Sequence, residues 1–532
     1  MTAIAAPRAA GVRRWWALGA LALALLAVGL DATVLSVALP TLAGSLHAST
    51  TDLQWFLSAY TLALAVALLP GGLLGDRVGR KKVVLGALTV FGIGSVACAY
   101  SRTAGEFIAA RTLLGLSAGF LVPLSLSVVA VMFTDEERPK AVGAWAAANF
   151  LALPAGPILG GWLLTNYWWG WVFLMNLPVV VVGLFAVAAL LPESRAEQRP
   201  GLDPAGVVAS CAGLAVLIYG FIAAGQYGWS SPTAIGATVA GVVVLAGFAA
   251  WELHLTRRAG GQPLVDLGLF RSARFSWGTI LAAFGMFAMF GMLFAGPMFF
   301  QAILGVNAMG SGVRLLPMMA GLAAGAGLAD QLAKRIGAKI TVAVGFVLLT
   351  AGMATGATMT VTSGDAFIGS WTALTGLGFG LALATAASAA LAELPPTRAG
   401  VGSAVMQAVQ KIGAPLSAAI LGSVLNTGYH ARLDLAGLPA GASGAVRSSV
   451  FAGIAVAHKI GSPALLGMVR VAFVHGIDVM LWVSAGLSLA GAALALAFLP
   501  WRATAARTPA STLAARSGPA CDGRESTHER SA

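Results

Sequence analysis

Fourteen apolar runs of spanning length follow one another along this chain, and no other feature restricts its fold as tightly. They fall at 15–39, 54–75, 83–100, 104–131, 141–164, 171–191, 205–224, 233–253, 275–300, 312–333, 340–359, 366–391, 400–425 and 472–499. A helix needs about 20 apolar residues to cross the hydrocarbon of a bilayer. Inside that layer the backbone must satisfy its own hydrogen bonds, so runs of this length are read as helices. Only 10% of the 532 residues are charged, against about 25% in a soluble protein. The expectation is an all-α membrane protein with fourteen spans.

Loop charge sets the orientation. With the N-terminus inside, the segments 1–14, 76–82, 132–140, 192–204, 254–274, 334–339, 392–399 and 500–532 are cytoplasmic and hold 24 of the 32 Lys and Arg residues. The other side holds Arg102, together with Arg432, Arg447, Lys459 and Arg470 in one long loop. Short loops rich in Lys and Arg stay inside. The net charge of +12 is therefore read as topology, and no nucleic-acid partner is expected. Arg13-Arg14 resembles a twin-arginine export signal, but the apolar run behind it is too long for a signal core and contains Asp31. Arginine exceeds lysine 25 to 7 in an Ala- and Gly-rich chain, as a GC-rich bacterial genome would encode. The expected location is a bacterial cell membrane, crossed many times, with both termini cytoplasmic. The three cysteines, Cys98, Cys211 and Cys521, give neither a disulfide framework nor a metal spacing.

The loop Gly71 to Lys82 reads Gly-Gly-Leu-Leu-Gly-Asp-Arg-Val-Gly-Arg-Lys-Lys. Its glycines let two helices approach closely, and Asp76 can pair with Arg77 or Arg80 or face a helix N-terminus. Ala333 to Lys339 repeats the loop in degraded form. That echo is what two parallel six-helix halves would give. The expected division is a cytoplasmic N-terminus 1–14, a six-helix bundle 15–191, linkers and an inserted helix pair 192–274, and a second bundle 275–499. The second bundle carries a long outer loop 426–471 with little pattern, and 500–532 reads as a disordered cytoplasmic tail.

An ionisable side chain at mid-depth in a bilayer costs about 2.5–3.5 kcal/mol on insertion scales. Asp31 is the one carboxylate well inside a run, about 12 Å from its outer end at helical rise. Arg111 lies roughly 10 Å deep in the fourth run, a similar level. Low dielectric favours a neutral acid and a guanidinium favours its carboxylate. A fixed buried ion pair and a proton-exchanging site both fit. In the fifth run, Pro154, Gly156, Pro157, Gly160 and Gly161 remove backbone donors and thin the helix, so a bend and close packing are expected. Gln407, Gln410 and Lys411 lie mid-way along the thirteenth run; they either line a cavity or bond neighbouring helices. His475 and Asp478 open the fourteenth run and are expected to be solvated. Gly376, Gly378 and Gly380 are read as helix packing.

Taken together these motifs resemble those of the major facilitator superfamily of transporters, and of its fourteen-span drug:proton antiporters in particular. Gly72, Asp76, Arg77, Gly79 and Arg80 match the superfamily's signature loop. Leu30 to Pro40 resembles the antiporters' first-span motif, with Ser36 where Asn is frequent. Trp55, Tyr60 and the stretch Trp169 to Pro178 also fit, with Gly170 in place of Arg. Arg111 to Gly115 resembles a motif linked with proton transfer, with Leu114 in place of Gln, and Pro154 to Gly161 resembles the antiporter motif of exporters. The resemblance implies two six-helix bundles with an inserted two-helix hairpin, Asp31 and Arg111 as proton-coupling residues, and antibiotic or multidrug resistance.

The function expected from this is a proton-coupled antiporter that exports an amphipathic drug, driven by the proton gradient and using no cofactor. It is expected to act as a monomer in the lipid bilayer. An importer or uniporter of a sugar or peptide on the same fold is the alternative. No Gly-x-x-x-x-Gly-Lys-Ser/Thr run exists, and no catalytic or metal-ligating set is evident, so neither a primary pump nor an enzyme is expected. A receptor or channel would leave Asp31 and the signature loop unexplained. A buried cationic substrate needs carboxylates. Asp31 is the only one at depth, with Glu106 and Asp365 peripheral, so neutral or weakly acidic aromatic substrates are expected over dicationic ones.

Overall fold

A computed structural model describes residues 12–134, 137–195, 203–258, 267–392, 399–436 and 438–500. The first helices are α1 (Val12–Ser45), α2 (Thr50–Val78), α3 (Arg80–Ala99), α4 (Ala104–Met132) and α5 (Arg138–Asn166). Then come α6 (Trp171–Leu174), α7 (Asn176–Leu190), α8 (Pro204–Tyr227) and α9 (Pro232–Arg257). The second half runs through α10 (Ala273–Ala302), α11 (Ala308–Arg314), α12 (Leu316–Ile336), α13 (Ala338–Gly356) and α14 (Asp365–Leu391). It closes with α15 (Ala399–Ala431), α16 (Ala440–Ser448), α17 (Val450–Ile460) and α18 (Pro463–Phe498). Among the described residues thirteen helical stretches are long and apolar enough to cross a membrane, with α6–α7 and α11–α12 each counting as one. The helix α5, with 29 residues, occupies the remaining apolar run.

Local chemistry places the helix ends. Ser49 caps α2, accepting from the Asp52 amide while Asp52 accepts from the Ser49 amide, a reciprocal capping box. Thr103, Ser272, Asn307, Ser449 and Ser462 cap α4, α10, α11, α17 and α18 with their side-chain oxygens. Single glycines with positive φ turn the chain between antiparallel helices, Gly79 (127°) between α2 and α3 and Gly337 (86°) between α12 and α13. Both lie in the two related loops, so the sequence echo corresponds to one turn geometry used twice.

Helices α1–α7 form one bundle and α10–α18 a second, meeting where α1 touches α10, α5 touches α11 and α2 touches α15. Small residues set the closest approaches, as expected where apolar burial gives no preference between lipid and protein. A Cβ on Gly119 would lie 2.7 Å from the Leu64 carbonyl oxygen, and one on Gly378 would lie 2.6 Å from that of Gly345. Gly376 and Gly380 press on Met318 and Leu322 in the same way, so the α14 glycines do serve packing. The hairpin α8–α9 stands outside both bundles. α8 packs on α2 and α15, while α9 touches little beyond α8 and a few residues near Leu267–Arg271.

The segment 426–471 departs from the expected unpatterned loop. α15 continues to Ala431, α16 and α17 follow, and α18 begins at Pro463, nine residues before the expected run. Val446, Val450 and Ala457 are buried in the main core. The Tyr429 hydroxyl donates to the Val446 carbonyl (2.8 Å) and the Thr50 hydroxyl to that of Ser448 (3.0 Å). Short amphipathic helices anchored by such bonds form a cap over the rim opposite the basic loops. The tail beyond Pro500 lies outside the described residues.

Candidate functional site

Five helices bring one polar side chain each to a single point inside the first bundle. Arg111 Nη1 on α4 donates to Asp31 Oδ2 on α1 at 2.5 Å, and both residues are fully buried. Arg111 Nε donates to the Phe56 carbonyl on α2 (3.3 Å), and its guanidinium lies 4.2 Å from the Tyr60 ring centroid, a cation–π contact. The Tyr60 hydroxyl donates to the Val28 carbonyl on α1 (3.2 Å). Asn176, first residue of α7, donates to Asp31 Oδ1 (3.5 Å) and to the Ser95 hydroxyl on α3 (3.4 Å). The two charges share depth and do meet. Each is also held by neutral groups that remain when the charge changes.

Asn176 and Ser95 were not singled out as site residues from the sequence. Asn176 stands within the Trp169–Pro178 motif, where its place at a helix start gave no hint of a contact with α1. Ser95 is one serine among apolar neighbours and carried no signal. Leu114, where the related motif has Gln, is fully buried and lies where a Cβ on Gly94 would touch it at 3.0 Å. It fills space between α3 and α4. Ser36 donates to the Thr33 carbonyl of its own helix (2.7 Å).

The α5 glycines face in two directions. Gly156 packs on Thr33 and Gly160 on Val34, both on α1, and the Thr33 hydroxyl donates to the Ala152 carbonyl on α5 (3.2 Å). On the other side, a Cβ on Gly161 would lie 2.7 Å from the Ala308 carbonyl of α11, while Gly312 presses on the Pro157 carbonyl. The side chain of Pro154 lies outside the described ones. Thr33, two residues along α1 from Asp31, thus carries the packing of α1 through α5 to the second bundle. A second link is the Gln301 amide of α10, which donates to the Val37 carbonyl of α1 (3.0 Å).

At the basic rim Asp76 accepts from Arg80 Nε (2.9 Å) and Nη2 (2.8 Å), while Arg77 is exposed. The amides of Arg80 and Lys81 donate to the Ser194 carbonyl (3.0 Å) and to Glu193 Oε1 (3.3 Å). The start of α3 is thus capped by the extended segment leaving α7, with a carboxylate at the positive end of the helix dipole. A Cβ on Gly79 would strike Glu193 at 2.5 Å. Gly72 has only Pro123 nearby, at 3.8 Å.

Gln407 and Gln410 line a cavity of about 400 Å³ between α4, α12, α14 and α15. Lys411, next along α15, is half-buried and, against the expectation for it, does not itself line this cavity. Asp478 is a correction. It does not sit solvated at the start of a span but fifteen residues into α18, and its Oδ1 is buried without a hydrogen-bond partner among the described residues.

Comparison with known proteins shows the family. The chain is 32% identical to the tetracenomycin C resistance and export protein of Streptomyces glaucescens, over 78% of this chain and 76% of that one. It is 32% identical to the multidrug efflux pump LfrA of Mycolicibacterium smegmatis, over 91% and 95%. It is also 32% identical to the methyl viologen resistance protein SmvA of Salmonella typhimurium, over 88% and 95%. A bacterial homolog of the human lysosomal transporter Spinster, solved inward-facing and unoccupied, superposes with a TM-score of 0.66 at 16% identity, covering 93% of this chain and all of that one. The Major Facilitator Superfamily model matches residues 21–418, and this chain belongs to that superfamily.

Proposed function

We propose that the protein is a proton-driven exporter of amphipathic drugs or antibiotics, working by alternating access in a bacterial cell membrane with both termini cytoplasmic. The observation that carries the reading is the sealed Asp31–Arg111–Asn176 cluster joined through Thr33 to the α5 glycines. Resistance and efflux relatives that align along most of their length support it. In this reading the basic rim bearing Asp76 faces the cytoplasm, and the α16–α17 cap faces outward. No cofactor takes part. The proton gradient supplies the work, and a single chain in the bilayer suffices.

The mechanism follows from the contacts. With Asp31 charged, Arg111 is held between the carboxylate, the Phe56 carbonyl and the Tyr60 ring. A proton on Asp31 removes the Coulomb part of that bond and leaves a neutral acid that Asn176 still orients. Arg111 then relaxes toward α2, and α1 loosens its grip on α4. Since α1 carries Thr33 and Val34 against α5, a small rotation of α1 moves the α5–α11 seam between the bundles. Two discrete packings of that seam are what alternating access requires.

The test uses inside-out vesicles with an imposed acid lumen. Wild-type vesicles should accumulate a fluorescent efflux substrate, and a protonophore should abolish accumulation. Uptake that ignores the protonophore would dismiss proton coupling.

A further inference from the structure

The cavity between α4, α12, α14 and α15 has an unusual balance of charge. It is walled by aliphatic groups such as Leu126, Leu322 and Met406, with Ser403, Gln407 and Gln410 as its polar lining. No described carboxylate lines it. Lys411 follows Gln410 and lies one turn beyond Gln407 on α15, so its four-carbon stem can carry the ammonium to the cavity edge. It has no ion-pair or hydrogen-bond partner among the described residues.

The described acids on or near these helices are engaged elsewhere or distant, beginning with Asp330, one turn beyond Ala326 on α12, which pairs with Lys334. Asp31 is spent on Arg111. Asp365 takes two bonds from Arg314, at 2.9 and 2.8 Å. Glu106 accepts from the Arg102 amide at the start of α4 (2.8 Å). Asp478 lies near Gly476, which packs on the Leu425 carbonyl. That places it about 21 Å along α15 from Lys411 at helical rise. A cation taken from water without a partner is costly, and a bound anion removes that cost. The cap adds a second, separate sign: Arg432, Arg447, Lys459 and Arg470 break the usual depletion of cations on the proposed outer side, so an anion leaving the cavity meets positive potential at the exit.

We propose that this cavity selects amphipathic aromatic molecules bearing an acidic group, with Lys411 as their counter-charge and Gln407 and Gln410 as amide partners. The inference rests on the export reading and names its substrate class. A cation would meet repulsion at Lys411 and find no carboxylate to replace its water.

The experiment compares two probes with one skeleton, 1-anilinonaphthalene-8-sulfonate and the uncharged N-phenyl-1-naphthylamine, with ethidium as the cation. Inside-out vesicles carrying the full chain take them up under an imposed pH gradient, read by filtration. The sulfonate should show a KM about tenfold below that of the uncharged probe. Lys411→Gln should erase that difference by raising the KM of the sulfonate, and Lys411→Arg should keep it. Equal KM values, a preference for ethidium, or an equal loss for all probes in Lys411→Gln overturns the inference while export stands. If wild-type vesicles move none of the probes, the export reading falls and takes this inference with it.

Discussion

Gly156 on α5 packs so closely on Thr33 of α1 that a Cβ there would come within 3.2 Å of the Val34 amide nitrogen. The contact lies two residues from Asp31, and the opposite side of the same helix meets α11. Substituting alanine gains about 1 kcal/mol of helix propensity but costs about 1–3 kcal/mol of overpacking, so overpacking wins. Gly156→Ala should lower the thermal inactivation temperature and slow transport. Gly86→Ala is the control, since nothing lies within 4 Å of its Cβ position, and it should be neutral or slightly stabilising.

Asp31→Asn retains the shape of the cluster and cannot titrate. It should reach the membrane with lowered stability, since Arg111 then keeps the Phe56 carbonyl and the Tyr60 ring but no charge partner, still bind substrate and exchange it down a gradient, and lose uphill, proton-linked efflux. Asp31→Asn vesicles that concentrate drug when a pH gradient is imposed would show that the coupling proton travels elsewhere.

Arg111 is the other half of the same pair. Removing one partner of a buried pair leaves the other charge uncompensated, at a cost of about 3–5 kcal/mol. Arg111→Gln should therefore reduce yield and thermal stability sharply. Adding Asp31→Asn to it should recover most of the stability without recovering transport. A double variant no more stable than Arg111→Gln alone would mean that the pair contributes little to folding.

At the basic rim, Gly79 at φ 127° has no room for a side chain beside Glu193. Gly79→Ala should cost more than about 1 kcal/mol in strain. Asp76→Ala removes only the bonds to Arg80, so it should slow turnover while leaving substrate affinity nearly unchanged. Normal kcat at normal expression would reduce the loop to a topology signal.

The cap offers a mechanical test. Thr50 of α2 and Ser448 of α16 touch across the rim opposite the basic loops. Cysteines at both positions, oxidised, should halt transport, and a reductant should restore it. Undiminished transport through the crosslink would show that the cap stays in place during the cycle.

Charge and apolar length were legible in the sequence because both are expensive to misplace in lipid. The spans, the two related loops and the shared depth of Asp31 and Arg111 could all be read for that reason. The cap was not. Its apolar residues, Val446, Val450 and Ala457, are spread among Ala, Gly and Ser, and one bond that fixes it comes from Thr50, 398 residues from its partner Ser448. Ser449 and Gly461 do bracket α17 as a cap and a left-handed stop, a local signal that was available. Asn176 and Ser95 stayed hidden because an uncharged polar group bears a small burial cost and finds its partner only in three dimensions.

The hairpin α8–α9 is fastened on one side only. The Ser423 hydroxyl and the Asn426 amide of α15 donate to the Phe221 and Gly225 carbonyls of α8, at 2.6 and 2.9 Å. Toward α2 the contact is greasy, with Trp55 and Leu62 against Ile218 and Ile222 and no hydrogen bond among the described residues. When the bundles rock, α8 should therefore ride with α15 and glide across α2 like a sliding gasket. Lipid tails should thereby be kept out of the seam while it opens and shuts.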